Sequence, residues 1–489
     1  MVPSRLIGDE VSRHGSRLGV ASVLLAVAIS PMMAACGSSA STPAPAGGTP
    51  ASSTPAVTPA GSAAGGVVGK SNTTITVMVS SGHQQFNPVW DLLPQFTQQT
   101  GITVKLDKVA TTSIEGNMLQ AVKLGSCQYD AVEMLDGGMA ALAPYMASLS
   151  PFLQKDGTDI SSFRSQFVPW SIQVTTFGND IKYYPYYSGA KAVAYRKSLF
   201  DDPANQAAFK AQFGYAMPVP PTTPQQLLDL AKFFTKNGMY GIVFSGQGDS
   251  ADTGISDLVF RSGVGGFQDS SGNALWGPKY PANEAKVQAA ATWLQDLVYK
   301  YHVAPTAVTG MGTAEATSYY TAGKAAMIYD TFYLSWSQFI APNVTSVIGQ
   351  SGTFEMPDFQ AGAGGIPFWW GYGIPSCSKN QQAAWTFVKW VLSPHNQQLA
   401  LTKGQGVYVP TDKNLLAWAV QQNVIPQGVA DAVSHAQAYS ITAATGTMRE
   451  KIDIPLVGKL LLNQLTPSQY AQQVGQQMQQ AAVESGTVH

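Results

Sequence analysis

Three aromatic clusters carry the most legible chemistry in this chain: Tyr186-Tyr187, Phe332-Tyr333, and Trp369-Trp370 with Tyr372. The face of an aromatic ring is electron-rich and attracts polarised C–H groups, while nearby carboxylates, imidazoles and amides exchange hydrogen bonds with hydroxyls. That combination suits a polyhydroxylated, uncharged solute. The candidate contacts are His83, Asp136, Tyr187, Gln247, Asp330, Phe332, Trp370 and Tyr372. Each has a plainer alternative: aromatic pairs fill cores, and a carboxylate at a strand end often faces water. Tyr183-Tyr184 reads as core. Trp370, followed by glycines, reads as a ligand surface, and its strand neighbour Trp369 then points to the opposite face.

The motifs of catalysis are missing. The sequence holds no HExxH, no CxxC and no GxSxG, and its six histidines have no metal-ligand spacing. Gly65-Gly66-Val67-Val68-Gly69-Lys70-Ser71 resembles a phosphate loop, but Ala64 stands where the first glycine belongs and no strand precedes it. A carboxylate pair of the glycosidase kind is not excluded by sequence. No catalytic residue, metal site or cofactor is expected.

The composition narrows the classes further. Charged residues make up 12% of 489, with 28 basic against 29 acidic, about half the roughly 25% of an ordinary soluble chain. Such a balance rules out disorder by charge and leaves no basic surface for nucleic acid. At the N-terminus Arg5, Arg13 and Arg17 precede an apolar stretch from Leu18 to Ala35, and Met33-Ala34-Ala35 leads into Cys36. This reads as a signal peptide over 1–35, and the small residues before Cys36, with Gly37-Ser38 after it, resemble the bacterial lipoprotein box. From Gly37 to Gly69 there is no charged and no aromatic residue, so 36–72 reads as a lipidated Cys36 with a flexible spacer. By spacing alone, Cys127 and Cys377 either pair or remain buried thiols.

The elements that must position the candidates begin at Thr73. Thr74–Val79 reads as a strand, Pro88–Gln99 as a helix and Ile102–Leu106 as a strand. A helix over Glu115–Leu124 and a buried strand over Tyr129–Leu135 follow. This alternation predicts a parallel α/β layer with ligand at the carboxyl ends of its strands, which places Ser80–His83 and Asp136 on one rim. Further on, Pro224–Lys236, Glu284–Tyr301, Gln381–Leu392 and Pro467–Val483 read as helices, and Tyr240–Ser245 and Ala325–Tyr329 as strands.

Several landmarks then fall in a familiar order. They include Tyr129-Asp130-Ala131-Val132 with Asp136, Tyr183–Tyr187 followed by Ala194–Phe200, and Pro221-Thr222-Thr223-Pro224. Tyr320–Met327, Trp370-Gly371-Tyr372-Gly373-Ile374-Pro375, Ala383–Trp390 and Val409-Pro410-Thr411 complete the set. Over Thr73 to Val483 the chain resembles the extracellular solute-binding proteins of carbohydrate ABC transporters, of the maltose-binding type. The resemblance implies an α/β, two-lobed periplasmic-binding-protein fold with an interlobe ligand cleft and crossovers near Pro185, Asp358 and after Leu401. It implies an N-terminal lobe of 73–185 with 359–401 and a C-terminal lobe of 186–358 with 402–489. Cys127 and Cys377 then share one lobe, which favours a disulfide. One departure is Asp330-Thr331-Phe332-Tyr333, where the family commonly carries Gly-Ser/Pro-Trp, so the aromatic surface there is displaced.

The function implied is that of a monomeric receptor, lipid-anchored on the outer face of the bacterial cytoplasmic membrane. It would capture a neutral sugar or oligosaccharide for the membrane subunits of an ABC permease, with no nucleic acid partner and no membrane contact beyond the lipid. Three alternatives stand beside it. One is a receptor for a charged solute, a glycerophosphodiester or peptide, using Lys191, Arg196, Lys279 or Arg449. The others are a secreted carbohydrate-active enzyme and a lipoprotein scaffold.

Overall fold

The computed structural model describes residues 72–331, 351–403 and 409–488. Cys36, Phe332 and Tyr333 lie outside them. The strands are β1 (Thr74–Ser80), β2 (Thr103–Val109), β3 (Ala131–Leu135), a small hairpin of β4 (Thr176–Phe177) and β5 (Asp180–Ile181), and β6 (Tyr183–Arg196). They continue with β7 (Tyr240–Phe244), β8 (Ala325–Thr331), β9 (Ser351–Glu355), β10 (Pro367–Gly373) and β11 (Val409–Pro410).

β1 pairs in parallel with both β2 and β3, with helices Leu93–Thr100 and Ile114–Lys123 in the connections. The layer is not wholly parallel, however. β10 returns from the far end of the chain and runs antiparallel to both β3 and β6, an arrangement that local periodicity does not announce. The helix expected over Pro88–Gln99 is also divided, into a 3-10 turn (Pro88–Leu92) and an α-helix (Leu93–Thr100). Pro94 is the reason: its ring lacks an N–H and is tolerated only in a first helical turn.

β6 organises the two lobes. Its first part pairs with β10, from Tyr183 to Ala190, and with β11 at Tyr187 and Ser188. From Lys191 to Arg196 its partners are β8 and β9, and β7 lies parallel to β8. One strand therefore belongs to both sheets. In the β6–β10 ladder Trp369 faces Ser188 while Gly371 faces Pro185. Tyr186 and Tyr187 thus both oppose the single residue Trp370. Such a bulge re-aims side chains and sharpens local twist.

The return crossover between β9 and β10 is clamped by Arg261. This buried guanidinium donates through Nε to Asp257 at 2.8 Å, and through Nη1 to Glu355 and Asp358 at 3.0 Å each and to the Met356 carbonyl at 2.6 Å. Asp257 also accepts from the Tyr329 hydroxyl and the Ile366 N–H. Gly365 admits the cluster, because a Cβ there would stand 2.1 Å from Asp257 Oδ1. Cys127, just before β3, is joined to Cys377, just after β10, with Cα atoms 5.7 Å apart.

Candidate functional site

The parallel pairing of β1 and β3 brings their carboxyl ends to one rim. Ser80 ends β1 and opens into a 3-10 turn (Ser81–Phe86) carrying His83. Glu133 sits inside β3 and is fully buried. Its Oε2 accepts from the Ser80 N–H at 3.2 Å and lies 3.0 Å from His83 Nδ1. The other imidazole nitrogen, Nε2, is 2.8 Å from the Tyr187 hydroxyl. The His83 ring meets Trp370 edge-on at 4.3 Å between centroids, and Tyr187 lies nearly parallel to Trp370 at 6.0 Å. Trp370 is left 5% exposed.

Next to this aromatic knot, Asp136 begins the helix after β3 and is buried. Its Oδ1 accepts from the Gly137 N–H at 2.7 Å, and its Oδ2 from the Tyr439 hydroxyl at 3.2 Å. Tyr439 comes from the other side. Its ring packs on Phe260 and Phe267 and is capped by Trp369 of β10 at 5.3 Å. Burial pushes the Asp136 carboxyl up to about 6, against the opposing pull of Arg449, the Gly137 N–H and Tyr439.

Arg449 lies on a π-helix (Thr447–Asp453) that packs against helix Gly248–Arg261. Its Nε and Nη2 donate to Asp252 Oδ2 at 3.0 and 2.8 Å, and Nη2 reaches Asp249 at 3.3 Å. The guanidinium rests over the ring of Phe368, 5.4 Å from its centroid. The Asp249 side chain is 77% exposed, yet the surrounding walls still desolvate it and raise its pKa. Glu115, on helix Ile114–Lys123, is also raised, by burial and then by Glu450, next to Arg449 in the chain. Lys191 is buried, 5.5 Å above the Tyr329 ring, and its charge reaches Asp249.

The structure brings His83, Asp136, Tyr187 and Trp370 to one region and separates others from them. Tyr372 lies two residues along β10 from Trp370, and that step carries its ring away from the rim and into the core. It is fully buried and packed on Tyr186 and Phe387. Gln247 is exposed just before helix Gly248–Arg261, its N–H bonded to the Met311 carbonyl. Asp330 is placed by its backbone alone, opposite Ala192 in β8. Phe332 lies outside the described residues.

Sequence reasoning missed Glu133, Tyr439, Asp252 and Asp249, and singled out Arg449 only for a charged solute. A signal existed for Glu133, a lone carboxylate within Ala131-Val132-Glu133-Met134-Leu135. None existed for the C-terminal group, whose approach to the rim depends on tertiary packing. Chemically the arrangement holds a packed group of aromatic rings, a buried carboxylate and a held guanidinium. Among the described residues no group of three His, Cys, Asp or Glu side chains is arranged for a metal, and no helix is long and apolar enough to cross a membrane.

The profile of the family described as bacterial extracellular solute-binding protein matches residues 80–398. Among solved structures, maltose-bound MalE3 of T. maritima is 20% identical with a TM-score of 0.64, the match covering 83% of this chain and 99% of that one. The GacH receptor of Streptomyces glaucescens, solved unliganded and with acarbose, gives 20% identity and 0.66, over 84% and 99%. The sugar-binding protein MalE of Xanthomonas citri gives 13% and 0.67, over 84% and 98%. At such identities these likenesses concern the fold. Among curated proteins none matches the sequence significantly.

Proposed function

Because this chain belongs to the bacterial extracellular solute-binding proteins, we propose that it captures a neutral carbohydrate between its two lobes and delivers it to an ABC importer. The observation that carries this reading is the company around Asp136. Asp136 is buried within electrostatic reach of the Arg449 guanidinium, and it follows Leu135, the strand partner of Trp370, whose ring packs with His83 and Tyr187. Carboxylate and guanidinium are the planar partners that hydroxyl groups use, and ring faces take the C–H side of a sugar. The excess of carboxylates over cations argues against a receptor for anions.

The lobes in this reading are 73–185 with 359–401 and 186–358 with 402–489. The change of partners along β6 supports a crossover there. The protein acts as a monomer tethered through diacylglycerol on Cys36 and the 36–72 spacer, and it releases its ligand unaltered. Thermal-shift screening over a sugar library, followed by calorimetric titration, tests the capture. A ligand at 100-fold its Kd stabilises by ~2.7 kcal/mol. A library in which no sugar raises the melting temperature, or one in which an oligosaccharide is cleaved, defeats the reading. Recovery of unproteolysed mature protein in the aqueous phase of a detergent split defeats the lipid anchor.

A further inference from the structure

Two carboxyl groups, Asp252 and Asp453, are fully buried on neighbouring elements, and Arg449 is the one cation that pairs with either among the described residues. We infer that the two share a single proton, carried on Asp453 Oδ2 and donated to Asp252 Oδ1, and that this proton fastens the π-helix that carries Arg449.

Asp252 lies on helix Gly248–Arg261, and Asp453 closes the π-helix Thr447–Asp453 that packs against it. Each carboxyl has one satisfied oxygen and one bare one. Asp252 Oδ2 accepts from Arg449 Nε and Nη2 at 3.0 and 2.8 Å, and Asp453 Oδ1 accepts from the Tyr470 hydroxyl. Asp252 Oδ1 and Asp453 Oδ2 are buried, and no donor reaches either among the described residues. A buried acceptor without a donor is costly, and these two belong to side chains within hydrogen-bond reach of each other. One proton between them satisfies both at once. Without it, lone pairs would face lone pairs, and adjoining carboxylates in a dry site do not both ionise. Burial, then the charge of Asp252 and the bond to it, hold the Asp453 carboxyl well above the ordinary carboxylate range, against the pull of Tyr470 and Arg449. Asp252 is the member that the guanidinium grips, so the proton belongs to Asp453.

The surrounding elements supply no second buried cation. Helix Gly248–Arg261 adds Asp249, which itself draws on Arg449 at 3.3 Å, and the π-helix adds Glu450 and Lys451, both exposed. Helix Ile454–Leu461 carries only Lys459, exposed, and helix Pro467–Glu484 contributes Tyr470. Tyr439 and Tyr470 both feel the Asp252 charge. The π-helix therefore hangs on Asp252 at two points, through Arg449 and, four residues on, through the Asp453 proton. A widened helical turn of this kind is rare outside functional sites, and a double attachment holds it in place. Loss of the proton turns the second attachment into repulsion, so alkaline conditions loosen the segment and Arg449 with it.

Infrared spectroscopy of the full mature chain at pH 8, with denaturant unfolding between pH 7 and 8, tests the proton. At pH 8 Asp136, at about 6, has lost its own proton. The carbonyl stretch of a protonated carboxylic acid should nevertheless persist, and should vanish in Asp453→Asn, whose amide N–H takes over the donation to Asp252. Across this window the folded chain keeps a proton that the unfolded chain has released, so the unfolding equilibrium constant should rise with pH, and Asp453→Asn should flatten that rise by about tenfold per unit. Asp453→Leu, similar in size but without a donor, should speed amide exchange across Thr447–Asp453 by roughly tenfold or more, while Asp453→Asn keeps the wild-type protection. A wild-type chain with no such band at pH 8, or with an equilibrium constant that is flat from pH 7 to 8, overturns the shared proton even if no variant folds. An Asp453→Asn protein that retains both band and slope overturns it as well. Unchanged exchange in Asp453→Leu overturns the fastening of the π-helix alone.

Discussion

Replacing Asp136 by Asn should stabilise the unliganded protein at neutral pH while weakening its hold on ligand. Burial raises the folded carboxyl from 3.8 to about 6, roughly two units, or ~3 kcal/mol at 1.36 kcal/mol per unit. The folded state thus binds this proton more tightly than the unfolded chain does. Between about pH 4 and 6 it holds more protons, so stability falls as pH rises through that window, and the full cost is present above it. Asn carries no charge to desolvate and keeps an acceptor oxygen. Losing the second acceptor, which serves Gly137 or Tyr439, returns about 1 kcal/mol. The net expectation is a gain of ~2 kcal/mol at pH 7.5, vanishing near pH 4. For on the order of 400 ordered residues, at about 2.1 cal/mol/K per residue, that is roughly 2 °C in Tm. Melts of both proteins from pH 4 to 8 measure it, and titration with a bound sugar should show a 10- to 100-fold weaker Kd, the worth of a charged acceptor. A variant less stable than wild type at pH 7.5, or a stability difference that does not change with pH, would refute the burial argument.

Three other outcomes follow from the packing. Arg261→Met strands the buried Asp257 carboxylate and should cost ~3–5 kcal/mol in denaturant unfolding, with part recovered by adding Asp257→Asn; a loss below ~1 kcal/mol would show that the crossover is held by other contacts. Removing Cys127–Cys377, which closes a separation of 250 residues, should cost ~5 kcal/mol by chain entropy and ~2–4 by common measurement. Peptide mapping that finds both thiols alkylatable in the native protein removes its basis. Trp370→Ala, at a ring covered by His83 and Tyr187, should lower apo stability by ~3–5 kcal/mol. An unchanged apo melt would mean that the ring is not packed in this way.

Much of the β1–β3 layer was legible because its instructions are local. β-branched runs wrote β1 and β2, and Gly101, in a left-handed conformation, stops the helix before β2. The same locality singles out Asp136, at the end of a strand, and Trp370, before a glycine, as candidates. What stayed hidden was whatever required a distant partner. Nothing near Tyr183 says that the strand runs on to Arg196, because its ladder changes partners without changing its own backbone. Tyr372 looked like Trp370 because both sit on one face of β10. The helix Gln381–Val391 packs over Tyr372 through Phe387, while His83 and Tyr187 cover Trp370. Arg449 and Tyr439 lie in a stretch of polar and small residues whose only distinction is where the fold takes them.

The strand shared by both sheets has a mechanical meaning. β6 spans 14 residues, about 46 Å at ~3.3 Å per residue, and is gripped by β10 and β11 near one end and by β8 and β9 near the other. A rod held in this way resists bending at either grip, since bending would break ladder hydrogen bonds. What it yields to is torsion in the short stretch where one set of partners gives way to the next, Gly189 to Lys191, beside a bulge that already overtwists the strand. The lobes are thus coupled as by an axle. Any rotation of one sheet against the other about β6 would be concentrated at these three residues.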